Sequence, residues 1–200
     1  MKLQYTDEWW AAKLGKVGAS HISDVMAKTK SGYGATRKNY MMKLLVERLT
    51  GTHEETYTNA AMQRGIDEEP MANAEYELQT GNMVTQVGFV DHPDVVMAGA
   101  SPDGLVGDDG LVEIKCPNTA THVDTLLGAP IDRAYMLQMQ WQMACTSRQW
   151  CDFVSYDSRM PPKHQLVIRR VERDDSLIAE ITHEVKLFLH DLDVYEAKLK

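Results

Sequence analysis

Two hundred residues, 44% hydrophobic and 25% charged, suffice to bury a sizeable core and exclude a disordered chain. A formal charge of −8 argues against a protein that coats nucleic acid by general attraction. No apolar run reaches the length of a membrane span. The charge does not exclude an enzyme acting on nucleic acid, because metal-binding carboxylates count as negative until their cations arrive. The start, Met1 to Glu8, is too polar for a secretory signal. Cys116, Cys145 and Cys151 are odd in number and lack C-x-x-C spacing, so they read as reduced thiols of a cytoplasmic protein.

No repeat, low-complexity tract or linker interrupts the chain, which reads as one domain over residues 1–200. Thr6 or Asp7 caps a short helix carrying Trp9, Trp10 and Leu14, stopped at Gly15. Ser20 is expected to cap a second helix, with Ile22, Val25 and Met26 on one face. From Ala35 to Leu49 the residues Tyr40, Met41, Leu44, Leu45 and Leu49 recur at helical spacing, and Gly51 is the stop. A further helix runs from about Asn59 to Gln79, which Pro70 should kink or divide. After Gly81 the texture turns to strands. Met83 to Val90 and Val95 to Gly99 read as two, around a turn at His92-Pro93-Asp94. Gly104 to Val106 and Leu111 to Cys116 read as a hairpin turning at Gly107 to Gly110. Asp132 to Thr146 is helical, Trp150 to Tyr156 and Gln165 to Val171 are strands, and Ser176 caps a final helix. That helix buries Leu177, Ile178, Ile181, Val185, Leu189 and Leu192. A small sheet flanked by helices, of the α/β or α+β class, satisfies this order.

The chemistry concentrates in Ser101-Pro102-Asp103-Gly104 and Glu113-Ile114-Lys115. Side chains alternate along a strand, so Glu113 and Lys115 share a face while Ile114 enters the core. The hairpin brings Asp103 beside Glu113. Two carboxylates supply the hard oxygen ligands preferred by Mg²⁺ or Mn²⁺, and a neighbouring lysine balances charge on a phosphoryl transition state or activates water. The spacing alone fits a solvated hairpin equally well. The context decides for a site, because Glu113 and Lys115 interrupt an otherwise buried-looking strand, where unpaired charges cost several kcal/mol.

Pro102-Asp103 followed by Glu113-Ile114-Lys115 resembles the signature of the PD-(D/E)xK, restriction-endonuclease-like nucleases. Five blocks in order are similar to the lambda exonuclease (YqaJ-type viral recombinase) family. These are Gly15-x-x-x-Ala19-Ser20, Arg64-Gly65-x-x-x-Glu69, Ser101-Pro102-Asp103-Gly104, Glu113-Ile114-Lys115-Cys116-Pro117 and Tyr135-Met136-x-Gln138-x-Gln140. The resemblance runs from about Trp9 to Asp174. It implies a restriction-endonuclease-like core with a small mixed sheet. It makes Asp103, Glu113, the Ile114 carbonyl and Glu69 the metal ligands, and Lys115 the residue that positions or activates water. Gln138 completes the catalytic set. Ser20, Ser101 and Lys13 would meet the terminal 5′-phosphate, although Lys13 stands where the family usually has arginine. Arg37 and Arg64 are alternatives for that cation. Met62 lies near the position of an apolar wedge that splits the duplex, and by itself reads as core packing. The abundance of methionine reads as core filling too.

The resemblance implies a phage- or prophage-encoded 5′→3′ exonuclease of double-stranded DNA ends in a bacterial host. Such an enzyme uses two Mg²⁺ ions, with Mn²⁺ a substitute. It releases mononucleotides and leaves a 3′ single strand for a phage annealing protein, and it works as a ring-shaped homotrimer. Another PD-(D/E)xK endonuclease and a catalytically silent DNA-end-binding module remain alternatives. Iron–sulfur members need four cysteines, and only three are present.

Overall fold

The computed structural model describes residue 4 and residues 6–30, 32–53 and 59–199. Its helices are α1 (Asp7–Lys13), α2 (Ile22–Val25), α3 (Ala35–Thr50), α4 (Ala60–Thr80), α5 (Thr119–Leu126), α6 (Arg133–Thr146) and α7 (Asp175–Ala197). Its strands are β1 (Lys28–Thr29), β2 (Gly32–Tyr33), β3 (Val84–Thr85), β4 (Val90–Asp91), β5 (Gly99–Ala100), β6 (Gly104–Val106), β7 (Gly110–Lys115), β8 (Trp150–Tyr156) and β9 (Leu166–Glu172). The central sheet has the order β3-β6-β7-β8-β9, with β7 and β8 parallel and the other neighbours antiparallel. The expected mixed sheet flanked by helices is therefore present.

Alternation along β7 divides the chain into layers. Val112 and Ile114 face α4 and pack with Ala72 and Tyr76, whereas Leu111 faces α6 and packs with Met139 and Met143. Helix α6 is buried nearly all round, as expected of a helix covered on both sides. Its far side, through Leu137, Trp141 and Cys145, joins an outer core with Ile22, Leu44, Ile181 and Phe188 from α2, α3 and α7.

Several expectations need correction. The long strands expected at Met83 to Val90 and Val95 to Gly99 are only the short β3, β4 and β5. Val96 is exposed and Met97 takes a left-handed φ of 64°, which ends extended pairing there. Ser176 does not cap α7; Asp174 does, its carboxylate accepting from the Leu177 amide. Leu49 is 44% exposed and lies off the core stripe of α3. Pro70 does not divide α4. It lies on the solvent side, and the carbonyl freed by its missing N–H belongs to Ile66, which is itself exposed to water. The hairpin of β1 and β2 and the helix α5 are additions that the sequence pattern does not signal. Among the described residues, no helix is long and apolar enough to cross a membrane.

Candidate active site

The Ser-Pro-Asp-Gly block lies where the chain enters β6. Gly104 is required by packing rather than by a turn: a Cβ there would stand 2.1 Å from the Val84 side chain of β3. Asp103, just before it, accepts a hydrogen bond of 2.7 Å from the Ile114 amide through Oδ2. This bond ties the first carboxylate to the strand that carries the second. On β7, Glu113 is 1% exposed, and its Oε1 lies 2.5 Å from the Lys115 ammonium.

Helix α6 approaches the same carboxylate from its own face of the sheet. Gln138 Nε2 donates to Glu113 Oε1 at 2.7 Å, and Gln142 Nε2 donates to Glu113 Oε2 at 2.6 Å. The two glutamines are four residues apart and so share one side of the helix. Gln142 lies outside the residues expected from sequence, although its spacing from Gln138 was the available signal. Gln140 acts elsewhere, accepting from the Asp174 amide and donating to the Glu172 carbonyl, and so holds the β9–α7 junction.

Helix α4 supplies the third acid. Arg64 donates to the carbonyls of Cys116 and Pro117, just beyond β7, and pairs with Glu68 at 2.6 Å. This staple holds α4 against the end of β7, and Glu69 reaches the cleft five residues later. Within the acidic run, Glu68 is thus the structural member, also accepting from Ser158, and Glu69 the cleft member. Arg64 is therefore not available as a phosphate ligand. Arg37 is not one either, because its buried guanidinium bonds Val25 and Asp191 away from the cleft.

The opposite wall belongs to the N-terminal segment. Gly15, with φ of +66°, ends α1, and a Cβ there would press within 2.7 Å of Arg48. The chain then runs beside the β5 region: the Val17 amide donates to Met97, and the Gly99 amide donates back to Val17. That strap sets Gly18, Ala19 and Ser20 beside Ser101. Ser20 lies in a 3₁₀ turn, Ala19–His21, and does not cap α2, so the expected side-chain cap is absent. Trp9 Nε1 donates to Ser101 Oγ at 2.8 Å, and Lys13 lies over Trp9 and Trp10, 4.1 and 4.9 Å from the ring centroids.

Together these residues line one cleft of about 260 Å³. Its lining includes Lys13, Ser20, Glu69, Ser101, Asp103, Glu113, Ile114, Lys115 and Gln138, so every site residue expected from sequence is gathered there. A larger cavity of about 480 Å³, between α3 and α7, contains none of them. Met62 is 51% exposed at the start of α4, so it is not core packing; Met71 and Met83 are exposed as well, while Met41, Met139 and Met143 fill the core.

The electrostatics are those of an over-filled acidic site. Burial pushes Asp103 well above the usual carboxylate range, and the charges of Glu113 and Glu69 add to this, against Lys115 and the Ile114 amide. Burial and then Glu113 also raise Glu69, with Lys115 opposing. Burial works against the ammonium of Lys115, but Glu113 and Asp103 outweigh it and hold the group above the usual lysine value. On the opposite wall, burial and then Lys43 lower Lys13 to about 8, with Glu47 opposing. Three acids, whose ligand atoms are all oxygens, against one lysine suit a hard divalent cation. The side chains do not form a finished cage: among the described residues, no three His, Cys, Asp or Glu groups converge on one point. Glu113 is engaged by Lys115 and two glutamines, and a cation must compete for its cleft-side oxygen.

Residues 8–149 match the model of the YqaJ-like viral recombinase domain. The chain belongs to that family. It is similar in structure to an alkaline exonuclease, LHK-Exo, from Laribacter hongkongensis, with 56% identity, a TM-score of 0.90, and coverage of 97% of this chain and 96% of that one. The structure of LHK-Exo in complex with dAMP matches at 56% identity and a TM-score of 0.91, over 98% and 96% of the two chains. A phage-related exonuclease from Haemophilus somnus 129PT shares the fold at 16% identity, with a TM-score of 0.71 over 92% and 96%. No curated protein matches the chain at a significant level. This YqaJ-family chain is an enzyme of the DNA exonuclease class.

Proposed function

We propose that this enzyme is a magnesium-dependent 5′→3′ exonuclease of double-stranded DNA ends, releasing mononucleotides and leaving a 3′ single strand for annealing. One observation carries the reading: a single cleft holds an acidic wall of Glu69, Asp103 and Glu113 with Lys115, facing a wall of Lys13, Ser20 and Ser101. The complex of LHK-Exo with dAMP supports a mononucleotide as product. Glu69, Asp103, Glu113 and the Ile114 carbonyl would hold the magnesium. When bound, the ions supply Lewis-acid stabilisation of phosphate charge and acidify water.

The chain's own residues do the rest. Lys115 orients the attacking water and balances charge on the phosphoryl oxygens. Gln138 holds Glu113 in place. Lys13, Ser20 and Ser101 take the terminal 5′-phosphate, so the next phosphodiester lies at the acidic wall. Water adds to that phosphorus, the bond to the 3′ oxygen breaks, and the 3′ oxygen takes a proton. The released product is a 5′-mononucleotide, and the shortened strand again begins with a 5′-phosphate. The same pocket therefore selects polarity in every cycle. Exposed Met62, on the helix that carries Glu69, is free to serve as the duplex-splitting wedge.

A ring of three identical subunits enclosing the duplex completes the proposal, since a chain of −8 charge does not retain DNA by general attraction. Linear duplex with 5′-phosphate should be digested to mononucleotides in Mg²⁺, 5′-hydroxyl ends more slowly, and closed circles not at all. Digestion that starts from the 3′ end, or equal rates at both kinds of 5′ end, would remove the pocket from the proposal. Light scattering that gives a stable monomer, together with long processive runs, would remove the ring.

A further inference from the structure

Helix α6 carries two fully buried glutamines with opposite bond inventories. Gln140 uses both ends of its amide on backbone groups at the β9–α7 junction. Gln142 spends its nitrogen on Glu113 Oε2 at 2.6 Å, while its Oε1 is buried with no hydrogen-bond partner among the described residues. A buried amide oxygen left unpaired carries a desolvation cost, so packing alone would favour methionine or leucine here. Turning the amide over would set its oxygen against a carboxylate oxygen, so donation to Glu113 is the orientation the chemistry allows.

Geometry separates the two oxygens of Glu113. Gln138 and Lys115, which line the cleft, both reach Oε1. Gln142 does not line the cleft and reaches Oε2 from behind. We propose that Gln142 is a positioning residue that locks the Glu113 carboxylate from its buried side, so that Oε1 alone is presented to the cleft. The proposal rests on Glu113 being a working carboxylate of the active site. An outer partner of this kind governs how well a ligand holds its metal.

The test is Gln142→Met, which keeps length and volume but removes the donor. Mn²⁺ is the probe, with its binding followed by electron paramagnetic resonance. Mn²⁺ affinity and kcat should each fall roughly tenfold to a hundredfold, the usual scale for an outer partner. KM for 5′-phosphorylated duplex should hold. If Gln142→Met does not fold, Gln142→Asn makes the same test, since its amide is one carbon too short to reach. Gln140→Met is the control and should lower Tm while leaving Mn²⁺ affinity unchanged. Wild-type Mn²⁺ affinity and kcat in the folded Gln142 variant would overturn the proposal, as would an equal loss of Mn²⁺ affinity in Gln140→Met. Glu113→Gln separates the two levels. If it still turns over, the active-site reading fails; if it is dead while Gln142→Met is normal, only the positioning role fails.

Discussion

On one wall of the cleft Glu113 is almost wholly buried, and Lys115, Gln138 and Gln142 grip both of its oxygens; on the other, Ser20 stands exposed and Lys13 rests on two indole rings. The first wall is built from β6, β7, α4 and α6, elements that also form the core. The second is a short helix, a 3₁₀ turn and a loop, strapped to the β5 region by backbone bonds at Val17. In the proposed mechanism, the groups that must meet a phosphorus atom at fixed geometry are carried by rigid elements. The groups proposed to meet a freely rotating terminal phosphate tolerate a lighter mounting.

If this contrast is right, damage to the two walls should differ in kind. The largest effect is expected at the acidic wall. Asp103→Ala or Glu113→Ala should reduce nucleotide release from linear duplex to background. Asp103→Asn should do the same while raising the metal-free Tm, because it removes a carboxylate that burial first, and the charges of Glu113 and Glu69 second, make costly to ionise. Near-normal turnover in either alanine variant would remove the acidic wall from the chemistry. Lys115→Ala comes next, with kcat falling by roughly two to four decades, the scale of a charge-stabilising or acid–base group.

The second wall should yield smaller losses that depend on the substrate. Lys13→Ala with Ser20→Ala should cut the preference for 5′-phosphorylated over 5′-hydroxyl ends by on the order of a hundredfold, as expected when a charge-assisted contact and a hydrogen bond are both lost. Cleavage of hydroxyl ends should change little. Lys13→Arg should preserve or strengthen the preference, because a guanidinium grips two phosphate oxygens. An equal loss on both kinds of end would show that this wall is not a phosphate pocket.

The smallest effect is a pH dependence. Burial and the nearby charge of Lys43 bring Lys13 to about 8, so it is cationic below that pH and neutral above it. The ratio of kcat/KM for phosphorylated against hydroxyl ends should therefore be full at pH 7 and decline as pH rises through 8. Bound phosphate stabilises the ammonium, so the corresponding decline in kcat should lie at higher pH than that in kcat/KM. Lys13→Arg keeps its charge throughout and should flatten the profile. A decline of the same size in Lys13→Arg would place the titration elsewhere.

The acidic wall was legible in the sequence for a physical reason. Glu113 and Lys115 are charges in an apolar strand, and alternation alone puts them on one face beside the preceding hairpin partner. The main helices and the strands β6 to β9 were legible too, because their apolar periodicities are long enough to be unambiguous. The short β3, β4 and β5 were not, since two-residue strands are defined by partners rather than by pattern. Sequence by itself thus singled out the residues that line the cleft. The tertiary structure decided that neither Arg37 nor Arg64 takes part, and which of three glutamines reach Glu113. Arg64 is consumed by carbonyls beyond β7, Arg37 by Val25 and Asp191, and Gln140 by the β9–α7 junction, leaving Gln138 and Gln142 for Glu113. A polar side chain in a helix has many partners within its reach, and only the packing of α6 against the sheet and of α4 against the end of β7 settles which one it meets.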